Sequence, residues 1–402
     1  MGEAEARGRR RQRGVGEVSG LSAEGVLRYA DAIIVGAGPA GLACAVTMRT
    51  AGFNVAVLEK ADGVGAVWRR HYDRLHLHTD RDRSGLPGMA MPRTYPTYPS
   101  REQMVEYLER YAARFDINPV FNTTVSRIRQ NGSQWCADAD GDTTTASVVI
   151  VATGIADAPY RPSWPGWELY RGAVVHSSEY GNPTPYAGKR VLVVGFGNSG
   201  GEIALDLANA GIDVALAVRS PVQILPRELL GFPILAWAIL YRRLPARMVD
   251  LINAPILRLA IGRIENLGLR RAAKGPRQMV EEDGRVPLID IGALDKIRDG
   301  SIKVRGGIDR LTFDGVIFDD ARSEKFDAII LATGFRSDLR QLMPDVKGVF
   351  DGHGMPLVTG AATDVPGLYF CGQITSPTGQ LREIGLEALR IADSAKRYAA
   401  SW

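Results

Sequence analysis

The sequence predicts an α/β protein made of two Rossmann-like dinucleotide-binding units, the second inserted into the first. Three observations carry that reading: a glycine fingerprint at Gly36, Gly38 and Gly41, another at Gly195, Gly197 and Gly200, and matching Ala-Thr-Gly turns at 152–154 and 332–334. Each fingerprint follows an apolar run that reads as a strand and opens a run that reads as a helix. That context separates the motif from chance glycines in a loop.

The first unit begins with the apolar run Asp31–Val35. Gly36 permits the tight turn, Gly38 lets backbone approach a pyrophosphate, and Gly41 allows close packing of helix on strand; Pro39 and Ala40 complete the turn. The phosphates then sit on the positive helix end. A second strand, Val55–Leu58, ends at Glu59 and Lys60. A carboxylate there accepts both ribose hydroxyls and repels a 2′-phosphate, so the ligand is an adenine dinucleotide without that phosphate.

Gly63 to Trp68 follows, with Val67 and Trp68 near the phosphate end of the unit, either on a ring ligand or under the next loop. His76 and His78 read as neighbours on one face of a strand, with His71 just before them. No cysteine or second histidine cluster completes a ligand set, so no metal is expected. Residues 84–99 are a proline-rich connection, and Ser100 with Gln103 forms a capping box for a helix to about Phe115. Alternating strands lead to Ala137, and after a turn at 140–142 the buried run Ser147–Val151 ends in Ala152, Thr153 and Gly154.

Prolines between 159 and 165 mark a crossing. The second unit repeats the first from Lys189, but its second strand, Val214–Val218, ends in Arg219 and Ser220. An arginine beside a hydroxyl suits a 2′-phosphate. One ligand without that phosphate and one with it means FAD and NADPH. Residues 224–273 read as a helical, apolar stretch in which Leu229–Tyr241 is too short and too interrupted by Gly231 and Pro233 to span a bilayer. A buried or lid helix is expected there, with a membrane-surface helix as the alternative. Strands then return to Ala332, Thr333 and Gly334, and the strand at Gly367–Gly372 leads through Gln373 to a last helix from about Leu381. The expected division is a tail at 1–29, an FAD unit at 30–158 and 325–402, and an NADPH unit at 159–324.

With 45% hydrophobic and 23% charged residues, the chain has an ordinary soluble composition. Its formal charge of +4 owes much to Arg7, Arg9, Arg10, Arg11 and Arg13, in a tail without apolar periodicity. That tail reads as solvated and disordered rather than nucleic-acid-binding, and no apolar run behind it suggests a signal peptide. Cys44, Cys136 and Cys371 lie far apart in sequence and form no C-x-x-C pair. A disulfide framework and dithiol chemistry are excluded, and a reducing, cytoplasmic setting is expected.

Between the fingerprints lies Tyr170-x-Gly172-x-x-x-His176-x-x-x-Tyr180, followed by Gly181. With this motif, Tyr72-Asp-Arg-Leu-x-Leu-His78, Tyr98-Pro-Ser-x-x-Gln103, Leu225-Pro-Arg-Glu228 and Val286 to Gly292, the chain resembles class B flavin-containing monooxygenases and is most similar to the plant YUCCA type. The resemblance spans residues 30 to 395; Baeyer–Villiger relatives carry Trp-Pro after that spacing, whereas here Tyr180-Gly181 follows.

It implies oxygen transfer through a C4a-hydroperoxyflavin kept dry beside retained NADP+. The substrate implied is an aromatic 2-oxo acid such as indole-3-pyruvate, which loses carbon dioxide. An amine or thioether oxygenated at nitrogen or sulfur, and an NADPH oxidase or redox sensor without organic substrate, are the alternatives. Partners are then a small molecule and molecular oxygen, with neither nucleic acid nor a membrane span; a homodimer is left open.

Fingerprints and resemblance together assign Gly36, Gly38, Pro39, Ala40, Gly41, Glu59, Lys60, Val67, Trp68, His78, Thr79, Thr153, Gly154, Gly372 and Gln373 to FAD. To NADPH fall Gly195, Gly197, Asn198, Ser199, Gly200, Arg219, Ser220, Ala332, Thr333 and Gly334. No acid or base is assignable as catalytic, because the cofactor carries the reactive oxygen. Arg382, after the family-divergent loop Gln373–Gly379, is a candidate partner for a substrate carboxylate.

Overall fold

The computed structural model describes residues 29–156 and 158–400. The expected tail lies outside the described residues, save Tyr29. In chain order the elements that place the site are β1 (Ala32–Val35), α1 (Pro39–Thr50), β2 (Val55–Leu58), α2 (Arg101–Arg114) and β3 (Val148–Val151). There follow β4 (Ala173–His176), β5 (Arg190–Val194), α3 (Asn198–Asn209), β6 (Asp213–Ala217), α4 (Ile234–Leu240), α5 (Ala246–Ile261) and α6 (Pro276–Asp283). The chain closes with β7 (Ile302–Arg305), β8 (Ala328–Leu331), β9 (Leu368–Phe370) and α7 (Gln380–Ala399).

One parallel sheet has the order β2-β1-β3-β9 and the other the order β7-β6-β5-β8-β4. Every residue of β1, β3 and β8 is buried, which is why these strands are continuous apolar runs rather than alternating ones. Helix α1 packs between the first sheet and α7: Leu42 and Met48 share a core with Ile384, Ala388 and Ile391. Fully burying side chains of this size stabilises by ~1.5–3 kcal/mol each. The Thr47 hydroxyl donates to the Ala388 carbonyl at 3.1 Å, tying the C-terminal helix to the first unit.

The capping box forms: Ser100 Oγ accepts from the Gln103 N–H at 3.2 Å, and Gln103 Oε1 accepts from the Ser100 N–H at 2.9 Å. The chain passes between the sheets where Ala158–Pro159 pairs antiparallel with Phe335–Arg336, a few residues after the first Ala-Thr-Gly turn and directly after the second.

The motif at 170–180 braces this crossing. The Tyr170 hydroxyl donates to the Phe326 carbonyl at 2.8 Å, and a Cβ on Gly172 would lie 2.2 Å from that hydroxyl. His176 Nε2 lies 3.0 Å from the Gly334 carbonyl, and the Tyr180 hydroxyl donates to Asp206 at 2.8 Å.

Three expectations change. Strand β8 pairs with β5 and β4 in the second sheet, so residues 328–331 do not join the sheet of β1 as a boundary at 325 would have it. Parallel pairing, which needs a long crossover, overrides the boundary drawn from composition. Residues 224–273 are not uniformly helical, since short strands at Ile224–Pro226, Glu228–Leu229 and Phe232–Pro233 precede α4, and Pro255 lies inside α5. His76 and His78 do not share a strand: the 72–80 segment is a loop, with only an isolated bridge from His76 to Ser100.

Candidate functional site: two nucleotide turns and an apolar cavity

The first fingerprint does what its glycines allow. Gly36 has φ +106°, and a Cβ there would sit 2.6 Å from the Ala152 carbonyl oxygen; a Cβ on Gly41 would sit 1.8 Å from the Gly36 oxygen. Gly38 faces open space, with nothing within 4 Å of a Cβ, and Pro39 and Ala40 begin α1. This is a cradle that a phosphate can enter at a helix N-terminus. Glu59 is buried, with its carboxylate accepting from the Ala37 N–H at 2.6 Å and the Ala61 N–H at 2.9 Å. The acid is thereby fixed beside the turn, whereas Lys60 and Val67 are exposed.

The other loops at the carboxyl ends of the same sheet converge there, as ligand sites of open parallel sheets do. Gln373 is 1% exposed, and with its amide oxygen toward the backbone it accepts from the Thr153 and Gly154 N–H groups at 3.3 Å. The Gly372 N–H donates to Glu387 at 2.7 Å, and burial pushes that carboxyl above its ordinary pKa.

The second turn repeats this geometry. Gly195 has φ +105°, a Cβ on Gly200 would meet the Gly195 oxygen at 2.0 Å, and Gly197 again faces open space. A cavity of about 540 Å³ opens on it, lined by Gly195, Gly197, Arg219, Ser220, Ala332 and Thr333. Arg219 is exposed, and its carbonyl accepts from Arg270, which puts a second guanidinium nearby. Gly334 serves the crossing, its carbonyl accepting from the Tyr160 N–H at 2.9 Å. Asn198 Oδ1 accepts from the Ile289 N–H at 2.8 Å, while Ser199 bonds to Tyr72.

A second cavity, about 340 Å³ and mainly apolar, is lined by residues of both units. Trp68, His78 and Thr79 reach it from the first unit, Asn198 from the second. Leu235, Trp237, Leu257 and Val280 supply its far wall from α4, α5 and α6. Trp68 is half-buried and packs against the cores of both units.

Matches to known proteins agree with this architecture. A family model described as pyridine nucleotide-disulphide oxidoreductase matches residues 33–225. The indole-3-pyruvate monooxygenase YUCCA1 of Oryza sativa subsp. japonica is 41% identical over 332 residues, covering 81% of this chain and 82% of that protein. YUCCA6 of Arabidopsis thaliana is 40% identical, covering 81% and 80%. The chain belongs to the YUCCA-type flavin monooxygenases. A solved flavin-containing monooxygenase from Stenotrophomonas maltophilia shares the fold, with TM-score 0.70 at 22% identity over 92% of this chain and 99% of that one.

Within this YUCCA-type chain the structure brings together residues that the sequence did not. His78 Nε2 lies 2.8 Å from Oε1 of Glu202, a carboxylate only 1% exposed, so the 72–80 loop of one unit meets α3 of the other through a buried pair. Arg227 adds a second tie, donating to the Leu77 carbonyl at 2.9 Å and stacking 3.6 Å from the Tyr98 ring centroid. Burial depresses the His71 imidazole below its ordinary pKa; Glu202 opposes that shift and Arg101 adds to it. Glu202 was recoverable in principle, since it sits one helical turn after Asn198 on a helix whose neighbours are apolar.

The sequence also missed Trp164 and Arg285 on the second turn's cavity, and Asn253 and Arg277 on the apolar one. Arg382 does not reach the apolar cavity. It pairs with Glu383 at 2.6 Å and lines a separate cleft with Asp82 and Arg83. Its place on the first turn of α7 turns the side chain toward a neighbouring carboxylate. His76 is exposed, with Nδ1 2.7 Å from the Arg74 carbonyl, and among the described residues no group of His, Cys, Asp and Glu is arranged to hold a metal.

Proposed function

We propose that this monooxygenase binds FAD at the first turn and NADPH at the second, and oxidatively decarboxylates an aromatic 2-oxo acid such as indole-3-pyruvate. The carrying observation is one apolar cavity lined from both units, by Trp68 and His78 from the first and by Asn198, at the helix start of the second fingerprint, from the second. The activity printed for the 40–41% identical relatives supports the substrate class. The reading includes insertion of the NADPH unit into the FAD unit, supported by the paired strands at 158–159 and 335–336. It also includes a cytoplasmic setting, supported by three free, buried thiols.

The residues fit both cofactors. Gly38 and Gly197 leave room for pyrophosphates, Glu59 stands where a ribose is read, and Arg219 with Ser220 faces a 2′-phosphate. FAD, once reduced by NADPH, supplies the activation of molecular oxygen. The chain binds, orients and keeps the site dry: Leu235, Trp237, Leu257 and Val280 exclude water from the cavity where oxygen is transferred. A buried carboxylate without a donor costs several kcal/mol. The Asn253 amide, which lines the cavity and has no hydrogen bond among the described residues, supplies a donor for a substrate carboxylate.

The test incubates enzyme, NADPH and indole-3-pyruvate with catalase and traps carbon dioxide, since peroxide alone decarboxylates 2-oxo acids. Carbon dioxide above the enzyme-free control supports the reading; its absence removes it. One observation favours a second reading, oxygenation of an uncharged amine or thioether. Arg277, the guanidinium on the cavity wall, is already committed to Glu281 and the Tyr241 and Arg242 carbonyls. An N- or S-oxide formed without carbon dioxide is the result that selects it.

A further inference from the structure

Helix α5 has two apolar faces, and only one is used inside the protein. Val249, Asn253 and Leu257 point to the cavity, and Ile261 is buried in the second unit's core. Met248, Leu251, Ile252, Ile256 and Leu259 recur at spacings of three and four and form a separate stripe, all exposed, with Leu251 at 78% and Leu259 at 88%. Leu240 and Leu244 extend the exposed apolar series just ahead of the helix. The inner face of α5 is a wall of the cavity, and its outer face is uncovered. A contiguous apolar face of this kind marks an interaction surface.

Its surroundings identify the partner. Between Leu229 and Ile264 the chain carries five arginines, at 242, 243, 247, 258 and 263, all exposed, and a single acid, Asp250. Asp250 is turned inward, accepting from the N–H groups of Arg277 and Gln278 at 3.0 and 2.8 Å at the start of α6. Arg247 and Arg258 lie along one edge of the stripe on the helix itself.

We propose that this face docks on an anionic lipid surface, with α5 lying in the interface plane. Leucine, isoleucine and methionine side chains enter the acyl boundary while the arginines meet the headgroups. A second copy of the chain fits the charge worse, because a two-fold contact would set the same arginines against each other. Sixteen residues interrupted by Pro255 lie along a membrane rather than across it. The inner face of the same helix lines the cavity, so docking brings the cavity wall next to lipid.

The experiment sediments the full-length, FAD-loaded protein with vesicles of phosphatidylcholine alone and with about 30% phosphatidylglycerol, at low and high salt. Expected is binding at least ~10-fold tighter to the anionic vesicles, weakening as salt rises. The Leu251→Glu/Leu259→Glu variant is expected to lose that binding ~10-fold or more while keeping its flavin absorbance and NADPH oxidation, since both side chains are exposed. Equal binding to both vesicle types, or none, overturns the proposal. So does binding that survives the double variant, which would assign it to another surface such as the arginine-rich segment 7–13. Concentration-dependent dimers broken by the same variant, without vesicle binding, would assign the face to a second copy. No substrate is needed, so these outcomes stand apart from the proposed chemistry.

Discussion

Replacing Arg219 by alanine tests the second turn most sharply. Its guanidinium stands in the cavity that opens on Gly197, with Ser220 beside it, and no carboxylate pairs with it among the described residues. A charge-assisted pair with a 2′-phosphate contributes ~1.5–3 kcal/mol. At ~1.4 kcal/mol per decade, its loss weakens NADPH roughly 10- to 100-fold or more. Because Arg219 is exposed and Arg270 remains close by, the lower end of that range is expected. NADH lacks the phosphate and should change by less than ~2-fold. The assay is the half-saturation of flavin reduction under anaerobic conditions, measured with both nucleotides. Equal losses for NADPH and NADH would refute the assignment, because they would mean that Arg219 supports the fold or the shared part of the ligand.

Other expectations follow from the glycines, Glu59 and His176. Gly41→Ala drives a methyl to 1.8 Å from the Gly36 oxygen and should yield insoluble or unfolded protein, whereas Gly38→Ala meets no protein atom and should fold but retain little FAD; soluble, yellow Gly41→Ala protein would contradict this. Glu59→Gln leaves one of the Ala37 and Ala61 N–H groups facing an amide NH₂ and should weaken FAD retention by ~1–3 kcal/mol, read from flavin absorbance after dilution. Burial depresses the His176 imidazole below its ordinary 6.5, so the folded state holds fewer protons there than the unfolded state. Stability should therefore be full above about pH 6.5 and fall as pH drops toward the folded-state value, with a shallower fall in His176→Asn, measured as Tm against pH.

The parts of the fold legible in the sequence were those fixed by local chemistry. Glycine spacing located both turns, because only glycine tolerates φ near +106° at Gly36 and the closeness of Gly41 to it. The capping box at Ser100 placed the start of α2 for the same reason: both partners are three residues apart. What depended on distant packing was not legible. The pairing of β8 with β5 and β4, the bridge of His76 to Ser100, and the meeting of His78 with Glu202 join residues far apart in sequence. Arg382 was misplaced because a residue number near a divergent loop says nothing about which side of its helix faces the cavity. The double apolar pattern of α5 could not reveal from sequence alone which face the protein covers.

The most direct test of the central claim, that the two turns serve one dry cavity in which oxygen is transferred, is the ratio of hydrogen peroxide formed to NADPH consumed. It is measured with and without indole-3-pyruvate, and with an amine and a sulfide as comparison substrates. The expected result is that a true substrate speeds NADPH consumption and lowers the peroxide released per NADPH. Peroxide that stays stoichiometric with NADPH for every compound would contradict the claim and leave an NADPH oxidase.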